Sequence, residues 1–233
     1  MRACERLLKY VRINTQSSPE TGTTPSTPGQ WELARLLVDE LKELGLENPS
    51  VNEFCTVTAW LPATTGLEHV PALGLLAHLD TAPAFSGGDV APIVHENYGG
   101  GDIVLPKEGR VIRAADFPWL SRFQGKTVIT ADGSTLLGAD DKAGIAEIMT
   151  LCERLMAERI PHGRLCVAFT PDEEIGEGPD HFDVAAFGAE YAYTVDGSAP
   201  GVIAYENFNA ASAVVDITGV SVHPGEAKGI MEN

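Results

Sequence analysis

Residues 71–81 read Pro-Ala-Leu-Gly-Leu-Leu-Ala-His-Leu-Asp-Thr. A nearly continuous apolar run of this kind is what a strand covered on both faces requires. It leads directly into His78 and Asp80. The arrangement recurs twice: residues 165–170 lead into Pro171-Asp172-Glu173-Glu174, and residues 189–195 into Asp196-Gly197. Between the first two runs, residues 142–160 place Ile145, Ile148, Met149, Cys152, Leu155 and Met156 on one helical face, and Pro161 stops the helix. Buried strands separated by helices imply an α/β layered domain, with a mainly parallel mixed sheet and helices on both faces.

Working outward, residues 4–13 carry Cys4, Leu7, Leu8 and Val11 at helical spacing, and residues 15–29 read as a Ser/Thr/Pro/Gly loop. Thr27 suits an N-cap, with Pro28 at the first helical position and Gln30 completing a capping box. Leu33, Leu37, Leu41 and Leu44 make one apolar face, and Gly45 suits a C-cap. Val57, Ala59 and Leu61 alternate as in a strand. Residues 83–110 carry too much Gly and Pro for an assignment. Residues 127–131 and 134–137 flank Asp132-Gly133 as in a hairpin. Residues 210–222 alternate again and suggest a further strand.

The composition bounds the function. The chain has 233 residues, 44% of them hydrophobic and 21% charged, which suits a packed core. No apolar run reaches the ~18–20 residues of a membrane span. Sixteen Lys+Arg against 33 Asp+Glu give a net charge of −17, which repels phosphate backbones and argues against a nucleic-acid partner. No Lys or Arg occurs between Arg164 and Lys228. The amino terminus lacks the apolar core of a secretion signal, so a cytoplasmic location is expected. Cys4, Cys55, Cys152 and Cys166 form no CxxC and read as reduced thiols.

In such sheets, functional groups gather beyond the carboxyl ends of the strands. Here those ends offer His78 and Asp80, then Asp172-Glu173-Glu174, then Asp196. Asp140-Asp141 opens the helix after the supposed hairpin. Carboxylates brought together repel unless a cation lies among them. One imidazole with several carboxylates suits zinc, with manganese or cobalt as substitutes. Asp80, two residues from His78, could hold the second ring nitrogen and fix its tautomer. Of two neighbouring glutamates, one can bind metal while the other stays free as a base. Taken singly, each element also reads as a turn, a helix cap or an acidic loop.

Four stretches occur together in order: His78-Leu79-Asp80-Thr81, Gly138-Ala139-Asp140-Asp141-Lys142-Ala143-Gly144, Thr170-Pro171-Asp172-Glu173-Glu174-Ile175-Gly176 and Thr194-Val195-Asp196-Gly197. As a set they resemble the peptidase T family of tripeptide aminopeptidases. That family lies among the co-catalytic zinc exopeptidases, which also hold carboxypeptidase G and aminoacylase. The resemblance implies that His78 and Asp196 hold one zinc, that Asp140 bridges two ions and that Glu174 binds the second. It implies that Asp80 orients His78, that the Asp140–Asp141 peptide is cis, and that Glu173 is the general base that moves a proton from water to the leaving amine. His223, in Ser221-Val222-His223-Pro224-Gly225, would contact substrate from a lid domain.

The resemblance also implies a domain plan. Residues 1–207 would be an incomplete catalytic core and residues 208–233 the start of a truncated lid. The second zinc would lack a His that the family supplies late in the chain. The expected partners are a short peptide as substrate and, through the lid of a full-length protein, a second copy; no nucleic acid or membrane is expected. A related amidohydrolase acting on dipeptides or N-acyl amino acids shares the metal centre and remains an alternative. So does a non-enzymatic remnant.

Overall fold

The amino-terminal helices α1 (Ala3–Tyr10) and α2 (Pro28–Leu44) pack against the same core. They belong to a computed structural model that describes residues 1–197, 201–207, 209–211, 213–219, 222, 223, 225 and 227–229. In α1 the buried residues are Arg6 and Tyr10, while Cys4 is exposed, so the expected apolar face is partly displaced. An ion-pair network accounts for the change. Glu40 of α2 accepts hydrogen bonds from Arg6 Nη1 (2.5 Å), Tyr10 Oη (2.5 Å) and Lys9 Nζ (2.6 Å), and Arg6 Nη2 also reaches Glu153 (3.0 Å). Removing one member of a buried pair leaves an uncompensated charge. Glu40→Ala is therefore expected to lower unfolding free energy by about 3–5 kcal/mol, measured by urea denaturation.

Leu33, Leu37 and Leu41 of α2 are buried as their spacing predicts, and Gly45 closes the helix at φ 83°. The capping box does not form. The side-chain amide of Gln30 turns instead to Asp172, which it approaches at 2.6 Å.

Five strands form the main sheet: β1 (Glu47–Val51), β2 (Val57–Leu61), β3 (Leu73–His78), β8 (Leu165–Thr170) and β9 (Tyr191–Thr194), in the order β1-β2-β8-β3-β9. β3 runs parallel to both β8 and β9, while β2 is antiparallel to β1 and β8. The sheet is therefore mixed, and the run that opens at residue 71 supplies a strand paired on both sides. Alternation along β8 divides its side chains: Leu165, Val167 and Phe169 join the core under the large helices, and Cys166 and Ala168 join a smaller cluster with Phe187. Helix α3 (Ala139–Ala157) covers the first face, burying Ile145, Ile148, Met149, Cys152 and Leu155. Met156, expected inside, is 37% exposed, because the helix ends one residue later. The short α4 (Val184–Phe187) lies on the other face.

Residues 83–135 form a separate small layer. β4 (Ile93–His95) pairs antiparallel with β7 (Val128–Thr130), and β5 (Ile103–Val104) with β6 (Val111–Ile112). The expected hairpin around Asp132-Gly133 is absent. β7 pairs with β4, and residues 134–137 form no strand. The Asp132 carboxylate accepts from the backbone N–H (2.9 Å) and hydroxyl (2.6 Å) of Ser134 and pairs with Lys107 at 2.9 Å. That local turn competes with strand pairing.

The chain divides into two units, Met1–Ser198 and Ala199–Asn233. Among the described residues of 210–222 no strand forms: Val214, Val215 and Ile217 are exposed, with no neighbouring strand to satisfy their backbone groups. Met231-Glu232-Asn233 lies outside the described residues.

Candidate metal centre

The parallel pairing sets the site. His78 ends β3 in register with Thr170 at the end of β8, so the segments that follow, 79–81 and 171–174, emerge side by side. The backbone N–H of Leu79 donates to the Thr170 carbonyl (2.8 Å). The Asp80 carboxylate is fully buried and accepts from the backbone N–H groups of Glu173 (3.0 Å) and Glu174 (3.2 Å). A single side chain after β3 thus anchors the turn that carries both glutamates.

His78 is the centre of the cluster. Its Nδ1 faces Asp80, 3.1 Å from the backbone carbonyl and 3.3 Å from the carboxylate. Its Nε2 lies 3.0 Å from Asp140, 3.9 Å from Glu173 and 3.9 Å from Asp196. One ligand atom each from His78, Asp140 and Glu174 lie within 4.8 Å of one another, and so do those of His78, Glu173 and Asp196. His78, Asp140, Glu173, Glu174 and Asp196 are thus brought together, with Asp80 on the other ring nitrogen of His78, while Asp172 and Asp141 turn away from the cluster. The Asp140–Asp141 peptide is cis, as the resemblance implied.

The electrostatics describe crowded anions around one imidazole. Burial by itself lowers the His78 pKa, but the hydrogen bond and charge of Asp80, with Asp141 and Asp196 close by, outweigh it and raise the imidazole to about 10. Burial, then the charges of Asp140, Asp80 and Glu173, raise Glu174. Burial, then Asp140 and Glu173, raise Asp196. Asp80 is lowered despite its burial, because it accepts hydrogen bonds from His78 and from the glutamate turn.

Several supporting groups were not assigned a role from the sequence. The Asp141 side chain is buried and accepts from the backbone N–H of His78 (3.2 Å) and of Gly144 (3.1 Å), tying α3 to β3. Gly144 lies so close to the end of β9 that an added Cβ would sit 2.0 Å from the Val195 carbonyl oxygen. Gly144→Ala must push Val195 and the adjoining Asp196 away. If the cluster holds zinc, this variant is expected to bind it about 10–100-fold more weakly, the range seen when outer supports of ligands are lost, as read by zinc titration. Lys142 is buried and donates to the Ile13 carbonyl at 2.8 Å. His223 belongs to the second unit, where it is exposed and accepts from the backbone N–H of Gly225 at 3.2 Å. A cavity of about 700 Å³ lies beside Gln16, Ser17, Thr27 and Pro83; no residue of the cluster lines it.

The fold of this chain is similar to that of solved aminopeptidases and a dipeptidase. The aminopeptidase PepT from Bacillus cereus ATCC 10987 matches with a TM-score of 0.62 at 23% identity, covering 85% of this chain and 43% of that one. An aminoacylhistidine dipeptidase from Vibrio alginolyticus matches with a TM-score of 0.57 at 21% identity, covering 85% and 33%.

Sequence narrows the class. The chain is 56% identical over 231 residues to peptidase T of Geobacillus kaustophilus (strain HTA426), and 55% identical over 231 residues to peptidase T of Listeria monocytogenes serotype 4b (strain CLIP80459). Each match covers 98% of this chain and 56% of the relative. The resemblance to peptidase T carried by the four motifs therefore extends along nearly the whole chain, which spans about half the length of the curated relatives it matches. No protein-family model matches the chain. No helix among the described residues is long and apolar enough to cross a membrane.

Proposed function

We propose that this chain carries the metal-binding residues of a two-zinc aminopeptidase acting on short peptides, tripeptides first among them. The observation that carries the reading is the convergence of His78, Asp140, Glu173, Glu174 and Asp196 on one small volume. The donor set fits a divalent cation. Burial and mutual repulsion raise Glu174 and Asp196, and a cation among them relieves both.

In this reading His78, Asp140 and Asp196 would hold one zinc, and Asp140 and Glu174 would serve the second. Zinc would supply Lewis-acid polarisation of the scissile carbonyl. Asp80 keeps the proton of His78 on Nδ1, leaving Nε2 free as a donor of electrons. The Glu173 carboxylate is 53% exposed, and Asp80 bonds only its backbone, so among the described residues no hydrogen bond ties the carboxylate up. Glu173 takes the proton of the attacking water on its carboxylate and returns it to the leaving amine, so that the amine departs neutral. Two carboxylates are a thin ligand set for the second zinc, so residues 1–233 alone bind it weakly and turn over little peptide.

The test is zinc titration calorimetry on residues 1–233, followed by hydrolysis of free-amine tripeptides against N-acyl amino acids by the full-length protein. The expected result is one tight zinc on the chain and preferential release of the amino-terminal residue from tripeptides. The pH dependence has a definite sign. Groups raised on folding stabilise the metal-free protein below their ordinary range and lose that contribution as pH rises through the shifted value. Zinc needs them deprotonated, the imidazole neutral and the carboxylates charged, so affinity rises with pH and binding releases protons. Absence of zinc binding at neutral pH overturns the metal reading; preference for N-acyl amino acids overturns the substrate.

A further inference from the structure

The turn that carries Glu173 and Glu174 is held from two sides. Asp80 holds it from β3. On the other side stands Asp172, the first residue after Pro171, which is fully buried and has no role in the reading above. Its carboxylate accepts from the backbone N–H of Ser26 (2.7 Å), the hydroxyl of Ser26 (2.5 Å) and the side-chain amide of Gln30 (2.6 Å). Its own backbone N–H donates to the side-chain oxygen Oε1 of Gln30 at 3.2 Å, which closes a ring between the two side chains and the backbone.

Three features argue that the carboxylate is what this position requires. Ser26 and Gln30 are themselves buried, so the ring has no solvent to replace a lost partner. Asp172 adopts φ 55° and ψ 31°, a left-handed conformation that glycine takes without steric cost, yet the residue here carries an anion. The carboxylate lies beside the amino end of α2, whose first turn has no acidic residue, where negative charge is favoured. A buried anion fully supplied by neutral donors is rigid, because any displacement leaves it unpaired.

We propose that Asp172, gripped by Ser26 and Gln30, is a positioning residue that fixes the Glu173–Glu174 turn against Asp80 and so sets where the two glutamates meet His78, Asp140 and Asp196. The inference rests on the metal-centre reading. It adds that α2 and the loop before it, distant in sequence from every ligand, determine the placement of one ligand and of the base.

The experiment compares Asp172→Asn and Ser26→Ala with the unaltered chain by zinc titration, by the visible spectrum of the cobalt-loaded protein, by amide exchange across residues 172–176 and by thermal unfolding. Asn presents an N–H where Ser26 also presents one, so Asp172→Asn is expected to weaken zinc binding about 10–100-fold, the range for outer supports of metal ligands. It should also change the cobalt spectrum and speed exchange at Glu173 and Glu174 more than in β8. Ser26→Ala removes one donor of three and should act in the same direction, more weakly. A folded Asp172→Asn protein with a lower melting temperature but unchanged zinc affinity, spectrum and local exchange marks a purely structural residue and overturns the proposal. Should that variant not fold, Ser26→Ala and Gln30→Ala decide, and unchanged affinity and exchange in both overturn it. If the unaltered chain binds no zinc, the metal-centre reading fails by itself; the clamp then stands or falls on exchange at residues 172–176.

Discussion

Asp140→Asn is expected to cost zinc affinity about 100-fold or more, beyond the 10–100-fold range for residues that only support a ligand. The Asp140 side chain is 71% exposed, and its Oδ1 sits 3.0 Å from His78 Nε2, where it faces the shared volume. Its side chain meets His78 and Asp196, both members of the cluster. Losing its charge should therefore barely disturb folding, while removing the carboxylate that both zinc positions share in the proposed arrangement. The consequence appears in ligand-linked stability. With free zinc at 100 times the wild-type dissociation constant, wild type gains about 2.7 kcal/mol and the variant only about 0.4 kcal/mol. Thermal unfolding with and without zinc measures both. Equal stabilisation of the two proteins rules Asp140 out as a ligand.

Its neighbour supplies the opposite signature. Asp141 is buried, and its two carboxylate oxygens each accept a backbone N–H, from His78 and from Gly144. An amide in its place can accept only on one side. Asp141→Asn should thus lower stability in the absence of metal, with a smaller direct loss of affinity. Two adjacent carboxylates of the same residue type are separable in this way because one points into the cluster and the other back into the joint between α3 and β3.

The sequence shows the strands and the ligands more readily than the joints between them. The apolar run at residues 71–79 and the one at 165–170 are legible because strands paired on both sides must be apolar on both faces, and the candidate ligands His78 and Glu174 are legible because they follow those runs. Of the small layer at residues 93–130 only the strand expected at 127–131 is legible, and it forms as β7; the others, two or three residues long, carry no measurable alternation. Arg6 and Tyr10 inside α1 are missed for a different reason. Their burial is decided by Glu40 and Glu153, which lie on other helices and leave no local pattern. Asp172 is hidden by its company: in the run Asp172-Glu173-Glu174 all three are acids, and only their partners distinguish an anchor from two functional groups. The peptide fold at Asp132 shows the converse, a strong turn signal that is real as a turn and wrong as a hairpin, because the side chain satisfies the turn locally.

The glutamates themselves give the second large effect. Their ligand atoms both approach His78, Glu173 in company with Asp196 and Glu174 in company with Asp140, so distance by itself does not rank them. Their surroundings do. Burial and the charges of Asp140, Asp80 and Glu173 raise Glu174, which is the response of a group pressed in among anions and relieved by a cation. The Glu173 carboxylate is more than half exposed and reaches His78 only at 3.9 Å. Glu173→Gln is therefore expected to leave zinc affinity within about threefold while lowering tripeptide turnover by the full-length protein about 10²–10⁴-fold, the range for loss of a general acid–base group. The loss should fall on kcat rather than KM, since the proton moves only in the transition state. Glu174→Gln should instead reduce the amount of zinc bound, with turnover partly restored by excess metal. If excess zinc rescues Glu173→Gln and not Glu174→Gln, the two roles are exchanged: the more exposed carboxylate is then the ligand, and the one raised by its anionic neighbours is the base.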